Sequence, residues 1–312
     1  MENLVILDIG SNSVRMAINQ IQADGSYREV KRMKNASRLS EKMGQQKVLQ
    51  KKAIERTIDA LADFQAVYTQ FTHTSVIAIA TAAVRQAKNQ SAFLQEVKQR
   101  IGVDVKVLTG QQEAYYDYLG VMNRLGIQNC LILDIGGASC ELIQVDNGQA
   151  VHLTSVPVGA VNITEKYRLN GTISGANLFN AEFGLRKLFG RIKWLHRAHH
   201  EPLVLLGGAS RTLARINRRR QHMSRVDAIH GYHLSAEQVN RTFLNLLRGN
   251  EHRRKEIPGL EADRADIIVG GMLPLITVMG LTDVKKMYFS ESGVREGIIT
   301  EYLNNHYSKK HK

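Results

Sequence analysis

Short apolar runs, closed by polar or glycine-containing turns, alternate along this chain with longer stretches whose apolar residues recur every three to four positions. The first pattern predicts strands and the second helices. Residues Leu4 to Leu7 form such a run, which ends in Asp8-Ile9-Gly10-Ser11-Asn12-Ser13 before a second strand-like run, Val14 to Ile21. Residues Cys130 to Leu133 repeat the design, ending in Asp134-Ile135-Gly136-Gly137-Ala138-Ser139 before Cys140 to Val145. Each copy predicts strand, tight turn, strand, with a carboxylate at the end of the first strand. One copy alone is an ordinary hairpin. Two in register, with Asp8 and Asp134 lying 126 residues apart, point to a duplicated domain whose two turns face one cleft.

The flanking patterns extend both copies. In the first half, Tyr27 to Met33 continues the meander after an Asp24-Gly25 turn, and the polar stretch Asn35 to Gln46 predicts a loop over the cleft. Lys51 to Phe71 places Ile54, Ile58, Leu61, Phe64 and Tyr68 on one helical face. Ser75 to Ala80 predicts a buried strand, with Thr81 placed to cap a helix carrying Val84, Arg85, Phe93, Leu94 and Val97. Val103 to Leu108 predicts a strand, and Gly110 opens a helix holding Glu113, Tyr116 and Leu119. The second half repeats the plan. Ala150 to Val156 completes its meander, helices start near Val161 and Gly175, and Pro202 to Leu206 is a strand from which Gly207-Gly208-Ala209-Ser210 opens a helix. Leu234 to Leu247 and Leu260 to Val278 predict helices, Lys286 to Phe289 a strand, and Val294 to Tyr302 a last helix. The expected fold class is α/β: two domains of related topology, 1–122 and 123–297, flanking a cleft, with a C-terminal helix at about 298–312 packing back on the first.

Composition narrows the function. A chain of 312 residues, 43% hydrophobic and 23% charged, suits two globular domains. No apolar run reaches the roughly 18 residues of a membrane span, and no leader pattern is visible. The only cysteines, Cys130 and Cys140, sit inside strand patterns and are expected as buried free thiols in a reducing cytoplasm. The net charge of +13 predicts a polyanionic partner. With 6% aromatic residues and no zinc-finger or RNP pattern, sequence-specific nucleic-acid binding is not expected. Basic residues cluster in the second half, including the triplet Arg218, Arg219 and Arg220 at a helix end. Each cluster reads either as a solvated face or as part of a polyanion track. His196, His199 and His200 have metal-like spacing but no acidic or cysteine partner nearby, so a solvated basic face is the better reading. The tail Lys309-Lys310-His311-Lys312 reads as a solubilising end.

A glycine turn with flanking hydroxyls suits a phosphate, and its aspartate suits Mg²⁺ or another hard divalent cation. Gly10, Ser11, Asn12, Ser13, Gly136, Gly137 and Ser139 are the candidate phosphate donors, and Asp134 is the candidate metal anchor, with Glu141 reaching the same ion. Asp8 is Asp134's twin and is expected to shape the other half of the phosphate site. Arg85 reads either as a phosphate clamp or as one side of an interhelical salt bridge.

The duplicated turns resemble the phosphate-binding turns of the actin, Hsp70 and sugar-kinase superfamily, whose domains are ribonuclease H-like (actin-like ATPase). Thr81-Ala82-Ala83-Val84-Arg85-Gln86-Ala87, Gly110-Gln111-Gln112-Glu113-Ala114, Leu119-Gly120-Val121 and the stretch from Asp134 to Leu142 resemble the exopolyphosphatase/guanosine-pentaphosphate phosphatase family. So do Pro157-Val158-Gly159-Ala160-Val161, Pro258-Gly259-Leu260 with Arg264-Ala265-Asp266, and Ser292-Gly293-Val294-Arg295-Glu296-Gly297. The chain departs from the family at Gln111-Gln112, where acids are common, and at Ala138, where a third glycine is common. It resembles the short, two-domain form. A kinase of the same superfamily, for which neither an acceptor base nor a sugar pocket has a signature, and a non-catalytic polyphosphate- or nucleotide-binding protein, against which Glu113, Asp134 and Arg85 argue, are the lesser readings. The resemblance implies an Mg²⁺-dependent exopolyphosphatase acting on inorganic polyphosphate, with guanosine pentaphosphate (pppGpp) hydrolysis as the alternative. It makes Glu113, otherwise an ordinary first-turn acid, the carboxylate that polarises the attacking water. Gly207, Gly208 and Ser210 match the superfamily's nucleotide-site turn only loosely and are expected to hold further phosphates or a nucleotide. A homodimer is left open.

Overall fold

The computed structural model describes residues 2–198 and 201–307. The chain divides into two compact units, Met1–Glu113 with Arg295–Lys312, and Ala114–Val294. The crossings fall in two helices, α4 (Gly110–Met122) and α11 (Val294–His306).

In the first unit, β1 (Glu2–Ile9), β2 (Val14–Ile21) and β3 (Tyr27–Asn35) form an antiparallel meander. Strands β4 (Thr74–Ala80) and β5 (Val105–Val107) add in parallel on the other side of β1, giving the order β3-β2-β1-β4-β5. The central strand β1 is apolar on both faces from Leu4 to Leu7, as a strand covered on both sides must be. Helix α1 (Lys51–Tyr68) buries Ile54, Ile58, Leu61, Phe64 and Tyr68, the predicted stripe. The stretch after Thr81 is two helices rather than one, α2 (Ala82–Gln86) and α3 (Gln90–Ile101). The Asn89 carboxamide accepts from Leu49 N (2.9 Å) and donates to Leu49 O (3.0 Å), which pulls the backbone out of the helix there. Thr81 takes the N-cap position of α2 without a side-chain cap; Ser11 Oγ accepts the Ala83 N–H instead (3.1 Å).

The second unit runs the same path. Strands β6 (Cys130–Ile135), β7 (Cys140–Asp146) and β8 (Gln149–Val156) form the meander, and helices α5 (Ala160–Tyr167) and α6 (Gly175–Phe189) precede β9 (Leu203–Leu206). Helix α7 (Gly207–Arg220) leaves directly from β9. A short β10 (His233–Ser235), α8 (Ala236–Leu247) and α9 (Glu251–Lys255) lead to α10 (Ile268–Thr282) and β11 (Lys286–Phe289). The sheet order is β10-β11-β9-β6-β7-β8, with β6, β9 and β11 parallel. Removing β10 leaves the order of the first sheet, so the duplication read from the two turns extends through five strands of each unit. Both units are α/β with the ribonuclease H-like plan.

Two helix starts differ from the sequence pattern. The α8 helix begins at Ala236 because Ser235 caps it in a box with Gln238 (Ser235 N to Gln238 Oε1, 2.8 Å). The predicted Leu260 helix begins only at Ile268, because Ala262–Arg264 forms a 3₁₀ turn beyond Gly259, whose φ is +95°. Helix α10 is apolar around its whole circumference, and twelve of its residues are buried in the core of the second unit. No helix of the described residues is long and apolar enough to cross a membrane. Cys130 and Cys140 are buried free thiols. Burial pushes Cys130 up to about 12 and Cys140 well above its ordinary value.

Candidate functional site

The two turns share one geometry. Gly10 N–H donates to Ser13 O (3.1 Å) and Gly136 N–H to Ser139 O (3.0 Å). In each, the glycine lies where a Cβ would press on that same carbonyl, at 2.9 Å and 3.1 Å. Register is conserved as well: Asp8 pairs across the hairpin with Arg15, and Asp134 with Glu141. Cross-strand partners project from the same face, so the same position carries opposite charges in the two units.

In the first unit, Arg15 Nη1 lies 3.8 Å from Asp8 Oδ2. Arg295, at the start of α11, is buried, and its Nη1 has no hydrogen-bond partner among the described residues. Burial, with Arg15 and Arg32 adding repulsion, pulls its guanidinium below the ordinary range against the opposing pull of Glu296 and Asp8. Turn one is therefore a cationic neighbourhood. The polar stretch after β3 folds onto it, with Arg38 N–H donating to Asn12 O (3.1 Å) and Ser40 N–H to Ser11 O (2.9 Å). The Asn12 carboxamide is buried, and neither its nitrogen nor its oxygen has a partner among the described residues.

Glu113 sits in the first turn of α4, where Thr109 and Gln112 form a reciprocal cap (Thr109 N to Gln112 Oε1, 2.9 Å; Gln112 N to Thr109 Oγ1, 3.1 Å). It is 7% exposed and pairs with Arg85 from α2, Nη1 to Oε2 at 2.8 Å. The same Nη1 donates to Leu108 O (2.8 Å). Of the two sequence readings of Arg85, this contact is the interhelical salt bridge: the guanidinium orients the Glu113 carboxylate.

In the second unit, Asp134 and Glu141 are joined by Asp117 of α4. One carboxylate oxygen from each of the three lies within 4.8 Å of the others. Asp117 is 0% and Glu141 1% exposed, and Ser155 Oγ donates to Glu141 Oε1 (2.7 Å). Three carboxylates this close, two of them fully buried, concentrate negative charge that a cation among them would offset. An all-oxygen, all-anionic donor set fits a hard divalent ion such as Mg²⁺ and not a soft one. The sequence pattern does not single out Asp117. In sequence it follows two tyrosines and reads as the polar face of α4; the usable signal was its position four residues after Glu113.

Backbone close approaches hold this cluster. Gly207, at φ +89°, would place a Cβ 2.6 Å from Asp134 Oδ1 and 2.3 Å from Ile135 O, so no other residue fits at the start of α7. Gly293 lies against Asp117, a Cβ there meeting Oδ1 at 2.9 Å. Gly159 packs on the turn itself, and the α5 N–H groups of Ala160 and Val161 donate to Gly136 O (2.9 Å) and Gly137 O (2.8 Å). Next to Gly207, Ser210 Oγ is buried with no hydrogen-bond partner among the described residues, and the Arg264 guanidinium covers Gly208, 2.1 Å from where a Cβ would be. Arg264, which the sequence offers only within the Arg264-Ala265-Asp266 resemblance and without a role, thus stands at the N-terminus of α7.

The arginine triplet does not act as a unit. Arg218 is buried: its Nη2 donates to Arg225 O (2.7 Å) and its guanidinium lies over the Tyr232 ring (5.1 Å). Arg219 and Arg220 are exposed. His196 is exposed and its Nε2 bonds Gly190 O (3.2 Å), while His199, His200 and the tail Lys309-Lys310-His311-Lys312 lie outside the described residues.

A sequence profile of the Ppx/GppA phosphatase family matches residues 17–306. The chain belongs to that family. It is 27% identical over 313 positions to a bifunctional 3-dehydroquinate synthase/phosphatase of Fusobacterium nucleatum, covering 96% of this chain and 46% of that one. It thus spans about half the length of that relative. A candidate exopolyphosphatase of Haemophilus influenzae is 26% identical over 98% of this chain and 93% of its own. Among solved structures, the Aquifex aeolicus Ppx/GppA family member superposes with a TM-score of 0.79 at 28% identity, covering 98% of this chain and 99% of that one. An exopolyphosphatase from Cytophaga hutchinsonii, at 22% identity, shares the fold with a TM-score of 0.88 over 97% and 98% of the two chains.

Proposed function

We propose that this Ppx/GppA chain is a phosphoanhydride hydrolase that releases terminal orthophosphate from inorganic polyphosphate, with a divalent cation, Mg²⁺ by donor type, held by Asp117, Asp134 and Glu141. The observation that carries the reading is the divergence of the duplicated hairpins: a carboxylate cluster at one turn and an arginine-flanked aspartate at the other. A bound cation supplies charge neutralisation on the phosphoryl oxygens during transfer. The rest falls to the chain. Glu113, aligned by Arg85, accepts a proton from the attacking water. The N–H groups and hydroxyls of Gly10 to Ser13 and of Gly136 to Ser139, with the Asn12 carboxamide, hold the phosphate oxygens, and Ser210 at the start of α7 adds a further donor. The excess of 42 basic over 29 acidic residues favours a long polyanion over a compact one.

Phosphate release from long polyphosphate, tripolyphosphate and guanosine pentaphosphate, each with and without a chelator, tests this. The expected order is long polyphosphate first, with activity abolished by chelation and restored by Mg²⁺. A strong preference for guanosine pentaphosphate makes the enzyme a nucleotide phosphohydrolase. Full activity in the presence of chelator refutes the cation.

A further inference from the structure

A surface hollow of about 620 Å³ lies in the second unit, between the end of α7, one face of α8 and the segment at Ile257 and Pro258. Its apolar lining is Ile216, Leu244, Ile257 and Pro258, of which Ile216 is buried and Leu244 and Pro258 are exposed, with Thr242, Asn245 and His222 beside them. Arg219 and Arg220 enter from α7, and Arg241 and Arg248 from α8 and its C-terminus, with no acidic residue among the lining side chains. Cations in a helix's last turn are ordinary, because they complement the macrodipole. That accounts for Arg219 and Arg220 but not for Arg241, which lies in the middle of α8. Arg241 bonds Glu237 (2.6 Å), an exposed i,i+4 pair too weak to hold it against a phosphate.

Four arginines around one hollow without an acidic lining residue set up a field of one sign that draws in anions. The hollow has a fixed relation to the carboxylate cluster, since α7 runs from Gly207, against Asp134, to Arg220 at the hollow. Fourteen residues at 1.5 Å each make that helix about 20 Å long. A polymer is the anion that can occupy both ends. Nucleic acid is disfavoured, because no aromatic ring of Phe, Tyr or Trp lines the hollow to stack a base.

We propose that this hollow anchors an inorganic polyphosphate chain at a point remote from its reacting end, an inference that rests on the polyphosphate reading above. The guanidinium groups bind successive phosphates and release their counterions, so anchoring weakens as salt rises.

The test is equilibrium binding of long-chain polyphosphate across a salt series, with Arg219→Gln/Arg241→Gln/Arg248→Gln beside the parent. All three side chains are exposed, so the fold is retained, which a melting curve checks. The expected result is a salt slope shallower by up to about three contacts and an affinity lower by about tenfold at low salt. KM for long chains should rise about tenfold relative to KM for tripolyphosphate, which is too short to reach from the turn to the hollow. Superimposable slopes in the two proteins overturn the anchor, even if the parent hydrolyses polyphosphate well. A parent that binds long chains through the three arginines yet releases no phosphate supports the anchor and refutes the hydrolase reading instead. An RNA oligonucleotide of matched charge that binds more tightly than polyphosphate, and loses that advantage in the variant, overturns the polymer assignment.

Discussion

Arg15 and Glu141 occupy the same step of two copies of one hairpin, and this difference separates the chemistry of the two turns. Beside Asp8 an arginine neutralises; beside Asp134 a second acid, and then Asp117, accumulate negative charge. Asp117→Asn should therefore raise the Mg²⁺ concentration for half-maximal activity, since an amide is the weaker ligand for a hard cation. A Mg²⁺ titration that overlays the parent would remove Asp117 from the cation set. Glu113→Gln keeps the shape and removes the charge that Arg85 aligns. Turnover should fall by about 10²-fold or more while substrate still binds, as expected for a lost general base; near-parent turnover would reassign the base. The sequence singles out Asp8, Asp134 and Glu141 because each sits at a fixed step of a repeated turn, and Glu113 only through the family resemblance. Asp117 is not singled out, and Arg264 enters only inside a family motif with no role of its own, because their places beside Gly293 and Gly208 come from distant positions in the chain. Arg218 failed for the converse reason: three consecutive arginines on a helix point in three directions, and one of them faced Tyr232 and the Arg225 carbonyl.

Elements followed their periodicity where one face meets one core. All five stripe residues of α1 are buried, and both meanders lie where the apolar runs and their turns placed them. Boundaries failed where a remote group intervened, as with Ser11 supplying the α2 cap and Asn89 tying down Leu49. Helix α4 shows how tightly one element is held. A Cβ on Gly120 would lie 2.2 Å from Gly293 O, and both surfaces are backbone, which cannot rotate away. Gly120→Ala should cost about 3 kcal/mol or more. Because Gly293 also bears on Asp117, the same variant should need more Mg²⁺. Gly126→Ala is the control: its Cβ meets nothing within 4 Å, and stability should move by less than about 0.5 kcal/mol. Equal melting temperatures for Gly120→Ala and Gly126→Ala would show that the close approach relaxes at little cost.

At the scale of the whole chain, the two ends of the described sequence are tied within one unit. Glu2, which opens β1, accepts hydrogen bonds from Ser75 (2.7 Å), from Tyr302 and from Tyr307 (3.0 Å), so the last helix closes on the first strand across about 300 residues. This clasp follows from no local pattern, since a glutamate at position two and tyrosines near the end have no periodic relation. Burial pushes the Glu2 carboxyl up, but the bonds from Tyr302, Ser75 and Tyr307 outweigh it and hold the group below its ordinary value of 4.5. Tyr302 is pushed up to about 12 by burial and by its bond to Glu2. A carboxylate whose folded value is depressed stabilises the fold above its unfolded value, and the contribution disappears as pH falls through the folded one. The bonds are partly screened by solvent, so the contribution is on the order of 1 kcal/mol. Glu2→Gln should thus melt below the parent at pH 7, with the gap closing as pH drops under about 4.5 and the carboxylate takes up its proton. Protease cleavage within residues 295–307 should be faster in the variant at pH 7, as the helix opens more often. A gap between parent and variant that persists unchanged at pH 3 would mean that size or packing at position 2, and not the charge, holds the C-terminal helix.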